Sequence, residues 1–203
     1  MKEINIIDFG LMGKQISALF YLLGYEIGVY NKSKLNIYEF EKQIKLLQRK
    51  IDFSNFNAGK INIYQHIEDL KNSLTIESLN EDLNLKKEIM QILRDNNIVF
   101  SNSSSLSMDD LNCDFIHFFN TIYIKLIELC GSNLERFTPL KDLKKLGFHI
   151  ICSKGNRGAL ANLLLFNEIS SFFKIIEKYD YNFKECQTVY DLLYEKRNLL
   201  NII

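Results

Sequence analysis

A strand, a glycine turn, a helix and a second strand follow one another directly at the N-terminus. Glu3-Ile4-Asn5-Ile6-Ile7 reads as a buried strand, and Gly10 to Gly13 makes a tight turn. Ile16, Leu19, Phe20 and Leu23 then recur at helical spacing until Gly24 stops the helix. Tyr25 to Tyr30, with Ile27 and Val29 on one face, is the next strand. A unit of this kind, closed within about thirty residues, lays its second strand parallel to the first, because the helix carries the chain back across the sheet. The start of the chain therefore commits it to a parallel sheet covered by helices.

The same alternation continues. Residues 34–57, rich in Lys, Glu and Gln around Ile44, Leu46, Leu47 and Ile51, predict an inserted helix, and Ile61–Ile63 and Ser73–Ile76 predict short strands. Asn80 is the expected N-cap of a helix with Glu81 and Asp82 in its first turn and Leu85, Ile89, Ile92 and Leu93 along its apolar face, ending near Asn96. Asn97–Phe100 returns as a strand and delivers the cluster Ser101–Ser105 at its C-terminal end, with Ser107 as cap of a helix starting near Met108. Strands around Phe115–Phe119, Ile124–Leu129 and Phe148–Cys152 complete the sheet, and from Leu160 the chain reads as helical. The expected fold is α/β: a Rossmann-type, doubly wound, mostly parallel sheet over residues 1–155, with a short all-helical C-terminal appendage over 156–203. Leu160 to Ile176 is apolar around most of its helical circumference and must be covered. Either it packs between the sheet domain and the last helix, whose start is marked by Asn182 and Glu185 in capping-box spacing, or a second copy covers it in a homodimer.

Charge and cysteine usage exclude several classes of partner. Lys plus Arg and Asp plus Glu both number 25, so no net field gathers nucleic acid or an anionic membrane surface. The longest apolar runs, such as Ile122 to Leu129 interrupted by Lys125 and Glu128, fall short of the ~20 residues a membrane span needs. Met1-Lys2-Glu3-Ile4 enters a strand at once, without the pattern of a signal peptide, so a cytoplasmic location is expected. Cys113, Cys130, Cys152 and Cys186 lie far apart, and His66, His117 and His149 are the sole histidines, so no metal site is expected and the thiols read as reduced and mostly buried.

The turn after the first strand carries the first chemical signal. In the pattern G-x-G-x-x-G the glycines permit a tight turn, close approach of backbone to a pyrophosphate, and close helix packing, while the helix N-terminus presents N–H donors. The segment Asp8-Phe9-Gly10-Leu11-Met12-Gly13 keeps the second and third glycines and replaces the first by Asp8. Gly10, Leu11, Met12 and Gly13 are thus candidate cofactor-binding residues. Asn31, at the end of the second strand, stands where an acidic residue would hold the ribose hydroxyls, and Lys32 and Lys34 beside it could receive a 2′-phosphate. NAD is the expected cofactor, with NADP left open.

Four later segments narrow the reading. They are Ile76–Ile89 (IESLNEDLNLKKEI), Ser101–Ser107 (SNSSSLS), His117–Asn120 (HFFN) and Lys125–Leu129 (KLIEL). In that order and spacing they resemble the successive motifs of the 3-hydroxyacyl-CoA dehydrogenase family, from residue 4 to about residue 130. The resemblance implies reversible hydride transfer between a 3-hydroxyacyl-CoA and a nicotinamide ring, with the protein moving the hydroxyl proton. It makes His117 the general base on the alcohol, Glu128 its partner carboxylate, and Ser104 and Asn120 polar neighbours of substrate oxygen and nicotinamide. It places Glu77 on a cofactor-facing loop. The implied substrate is an acyl thioester or a related 3-hydroxy acid.

The pattern also breaks. The interval from His117 to Glu128 is one residue short for the family, which in a strand would turn the two side chains to opposite faces unless a bulge compensates. Thr121 replaces the proline after His-Phe-Phe-Asn, and the segment leading to the second domain survives as Cys152-Ser153-Lys154-Gly155-Asn156. The asparagine that follows that segment in relatives aligns with Ala159, with Asn156-Arg157 as a shifted remnant. The C-terminal helical region is about half the length the family implies. Two readings follow: an oxidoreductase that interconverts a 3-hydroxyacyl-CoA and its 3-keto form, or a catalytically degenerate module that binds nucleotides or proteins.

Overall fold

The computed structural model describes residues 2–32, 36–93, 98–153 and 160–193. The chain divides into two compact units, Met1–Ala159 and Leu160–Ile203. In the first, eight strands form one sheet: β1 (Glu3–Ile7), β2 (Glu26–Tyr30), β3 (Lys60–Tyr64), β4 (Leu74–Glu77), β5 (Ile98–Ser101), β6 (Asp114–Phe118), β7 (Leu126–Cys130) and β8 (His149–Ser153). Their order is β3-β2-β1-β4-β5-β6-β7-β8. The six strands β1 to β6 pair in parallel, β7 pairs antiparallel with β6, and β8 runs parallel to β7. The chain thus winds outward from β1 in both directions, the doubly wound arrangement expected from the sequence. Such a sheet opens a crevice between the loops that leave β1 and β4, beyond the carboxyl ends of the strands.

Burial explains the strand composition. Ile4, Ile6 and Ile7 of β1 and Ile27 and Val29 of β2 are all fully buried, as central strands covered on both faces must be. α1 (Leu11–Leu22) packs against this centre through Ile16, Leu19 and Phe20, and Gly24, at φ +86°, ends it where a side chain would be strained. Phe20 sits edge-on to Phe118 and Phe137, which joins the two halves of the sheet through one aromatic cluster. Tyr25 at the start of β2 donates to Asp142 (3.0 Å), itself on the short helix α5 (Leu140–Lys145). No periodicity over residues 131–147 had announced α5, since two turns are too short to register one.

Several boundaries differ from expectation. The inserted helix α2 covers Ile37–Lys50, capped by Asn36 at the N–H of Glu39, and residues 51–57 leave it. In α3 (Leu83–Leu93) the cap is Asp82, which accepts from the N–H groups of Asn84 and Leu85 in the place expected for Asn80. A carboxylate one residue before the helix reaches those donors, while Asn80 lies two residues too early. Ser107 caps α4 (Met108–Leu111) as expected, reciprocally with Asp110. The strand expected at Ile124 begins at Leu126, because Tyr123 and Ile124 donate back to the Asn120 carbonyl in a turn. The expected helix end near Asn96, together with Ser33, Lys34, Lys154–Arg157 and Ala159, lies outside the described residues.

Of the four cysteines, all free, Cys130 alone is buried; Cys113 and Cys186 are half-buried and Cys152 is exposed, so the expectation of mostly buried thiols is corrected. Desolvation pushes the Cys113 thiol up to about 12.

The second unit is a helical hairpin. α6 (Leu160–Tyr179) and α7 (Phe183–Leu193) meet through Phe172, which contacts the rings of Phe183 and Tyr190, and through Phe173 stacked on Phe183. Asn182 caps α7 at the N–H groups of Lys184 and Glu185. No residue of α6 is buried, so α7 covers one strip of it, and Leu164 remains 63% exposed. No helix among the described residues is long and apolar enough to cross a membrane.

Candidate active site

The parallel strands deliver their C-terminal ends to one side of the sheet, and the candidate residues follow them there. The Gly10–Gly13 turn leaves β1, Asn31 follows β2, the serine cluster leaves β5, and His117 stands near the end of β6. Gly10 is the N-cap of α1, with no side-chain cap on the helix and no acidic residue in its first turn, so the first N–H groups are open to an anion. Gly13 has a steric reason to be glycine. A Cβ there would lie 2.2 Å from the Asp8 carbonyl oxygen, so helix and turn could not close on one another. Leu11 is exposed at the mouth of the turn, while Met12 packs partly against the core. Asn31 accepts the Phe9 N–H at its Oδ1 (3.1 Å), so its oxygen braces the turn.

Glu77 is not on a loop. It ends β4, wholly buried, with its carboxylate shared between the Lys86 ammonium (2.6 Å), the Ser101 hydroxyl (2.6 Å) and the Leu79 N–H. Lys86, equally buried, also donates to the Leu79 carbonyl (2.9 Å). The expected loop position of Glu77 is therefore corrected to the buried end of β4. Its charge is consumed inside the protein by a pair whose members would each be costly alone.

The carboxylate that meets the serine cluster is Glu81, which was read from sequence merely as a first-turn acid. It accepts from the Ser103 hydroxyl (2.7 Å) and from both the N–H (2.7 Å) and hydroxyl (3.1 Å) of Ser104. Burial pushes its carboxyl upward, but these hydrogen bonds and the Lys86 charge outweigh burial and hold it below the usual carboxylate range. Its place four residues after Glu77 in the quoted motif was the available signal.

His117 and Glu128 are direct partners across the antiparallel pair of β6 and β7. Side chains at opposed positions share a face, with Cβ atoms about 5 Å apart, so the short interval does not separate them. The turn between the strands absorbs the missing residue, and no bulge is required in the register from Phe115 to Phe118. Burial lowers the His117 imidazole from its ordinary value, and the negative charges of Glu128 and then Glu81 oppose that shift. Nδ1 of His117 and Oδ1 of Asn120 are both buried without a hydrogen-bond partner among the described residues. Phe119 lies against the imidazole, ring centroids 4.3 Å apart.

Thr121, where a proline was expected, has an N–H that proline would lack. Gln15 on α1 accepts it (3.2 Å) and also meets the Thr121 hydroxyl (3.4 Å), in a wholly buried contact that ties the Asn120 loop to the glycine-turn helix.

A glycine turn and a paired histidine and glutamate thus lie at the same end of one sheet. The family model for the 3-hydroxyacyl-CoA dehydrogenase NAD-binding domain matches residues 3–136. The chain belongs to that family. It is 24% identical over 227 residues to a human mitochondrial hydroxyacyl-coenzyme A dehydrogenase, covering 95% of this chain and 71% of the relative. It is 27% identical over 157 residues to a 3-hydroxybutyryl-CoA dehydrogenase of Clostridioides difficile, covering 65% of this chain and 55% of that protein. Among solved structures, an (S)-3-hydroxybutyryl-CoA dehydrogenase from Ralstonia eutropha superposes with a TM-score of 0.79 at 20% identity, over 98% of this chain and 80% of its own. The family's cofactor is NAD. The open end of α1 and the two orphaned buried atoms fit such a group; Asp8 does not.

Proposed function

We propose that the protein is an NAD(P)-dependent oxidoreductase that interconverts a 3-hydroxyacyl-CoA, or a related 3-hydroxy acid, and its 3-keto form. The observation that carries this reading is the cross-strand pair of His117 and Glu128 at the cofactor end of the sheet, with Nδ1 of the imidazole left unsatisfied. The names of the curated relatives support the same substrate class. The nicotinamide, when bound, supplies the redox chemistry. The chain's own work is to hold and move a proton. His117, neutral at physiological pH because burial lowers its pKa, accepts the proton of the substrate hydroxyl in oxidation and returns it to the ketone oxygen in reduction. Glu128 favours the imidazolium that forms. Ser104, fixed by Glu81, and Asn120 orient the substrate and the nicotinamide, and the Gly10–Gly13 turn receives the pyrophosphate. The exposed apolar strip of α6 serves as the contact of a homodimer, which sedimentation of the parent and of Leu164→Glu measures.

The test is oxidation of NADH or NADPH with acetoacetyl-CoA, followed by absorbance. Turnover dependent on the thioester supports the oxidoreductase. Binding of dinucleotide with no turnover on acetoacetyl-CoA or on free 3-hydroxy acids would favour the second reading, a catalytically degenerate module; the carboxylate of Asp8 in the turn points to degeneracy, not to tight nucleotide binding.

A further inference from the structure

We infer that Asp8 is a specificity-determining residue of the dinucleotide turn. Its carboxylate stands where a pyrophosphate oxygen would be received and keeps the affinity for diphosphate-bearing cofactors low. The inference rests on the reading of Gly10–Gly13 as the cofactor turn.

Asp8 is held in place on both sides. Its N–H donates to the Tyr30 carbonyl (2.9 Å), and its own carbonyl lies against α1, 2.2 Å from where a Cβ on residue 13 would sit. Its φ of +76° is in the left-handed region, which a residue with a Cβ adopts at a cost and aspartate tolerates better than most. The backbone at this position therefore asks for glycine, and the chain supplies a charged side chain instead.

That side chain is turned toward the helix N-terminus. Its Oδ2 accepts the Gly10 N–H (3.1 Å), one of the donors a pyrophosphate would use. The neighbouring Phe9 N–H is taken by Asn31 Oδ1 (3.1 Å). Two backbone donors of the turn thus already serve the chain's own oxygens, and an incoming diphosphate meets a negative charge beside those that remain. At about 5 Å and an effective dielectric near 20, one such pair of like charges corresponds to roughly a hundredfold in affinity. Salt screening removes part of this, and the positive end of the α1 dipole returns roughly fivefold. The remainder is about tenfold or more.

Calorimetric titration of the parent, Asp8→Asn and Asp8→Gly with NADH and NADPH tests this. Asparagine keeps the side-chain acceptor and tolerates the left-handed backbone but carries no charge. Both variants are expected to bind at least tenfold more tightly than the parent, and the gain in Asp8→Asn should shrink in 1 M NaCl, where the Debye length is about 3 Å. A gain confined to Asp8→Gly would assign the effect to shape and overturn the charge argument. Parent binding as tight as that of Asp8→Asn would overturn it too, while leaving the oxidoreductase reading intact. Absence of binding in all three proteins would overturn both.

Discussion

The two sides of the crevice treat their polar groups in opposite ways. On the β1–β2 side, Asp8 and Asn31 satisfy the N–H groups of Gly10 and Phe9 from within the chain. On the β6 side, His117 Nδ1 and Asn120 Oδ1 are buried and satisfied by nothing among the described residues. A buried polar atom without a partner costs about 1–3 kcal/mol, which a ligand can recover. The difference teaches that the turn after β1 closes on its own donors, whereas the end of β6 presents a histidine nitrogen and an amide oxygen that no described residue engages.

Substitutions can break or sharpen this contrast. The largest effect is expected at His117. His117→Ala should lower turnover by about 10²- to 10⁴-fold while NADH affinity, measured by calorimetry, hardly changes. Equal losses in both would mean that the imidazole serves binding and that the two sides are not distinct.

Next comes Glu77, which lies between the two sides but belongs to neither. Glu77→Gln leaves the fully buried Lys86 ammonium without its charge partner and should cost about 3 kcal/mol in urea unfolding. Cofactor affinity of the folded variant should stay near that of the parent. A variant of normal stability with lost NADH binding would return Glu77 to the cofactor site.

The smallest effect is expected at Glu128. Its charge raises the His117 pKa against the lowering by burial, so Glu128→Gln should lower that pKa further. Because the neutral imidazole is the base, the acid limb of the kcat/KM profile for hydroxyacyl oxidation should move to lower pH, with a rate loss of about tenfold. An unmoved limb would show that the cross-strand carboxylate does not act on the imidazole.

Much of the candidate site was legible in the sequence. His117, Asn120, Ser104 and Gly10–Gly13 are marked by residue type and order, and the strands that present them are marked by apolar runs. Glu77 and Glu81 show where such reading stops. Both are acids in one motif, four residues apart, and the pattern does not tell which carboxylate points into the sheet and which into the crevice. Burial decides: Lys86 reaches back from α3 to neutralise Glu77, and the serine loop closes on Glu81.

The sequence by itself determined the doubly wound sheet, since a strand, a glycine turn and a helix that repeat at these lengths have one way to bury their apolar faces. It also assigned the candidate residues to the C-terminal ends of the strands, where the structure places them. The tertiary structure alone decided three matters that the order of residues does not carry. It set His117 opposite Glu128, because strand register is fixed by pairing and not by counting residues through a turn. It gave the Thr121 N–H to Gln15, because α1 and the loop after β6 meet only once the sheet is wound. And it turned Asp8 onto the Gly10 N–H, because the carbonyl of Asp8 is pinned under α1 and the side chain has the helix N-terminus beside it.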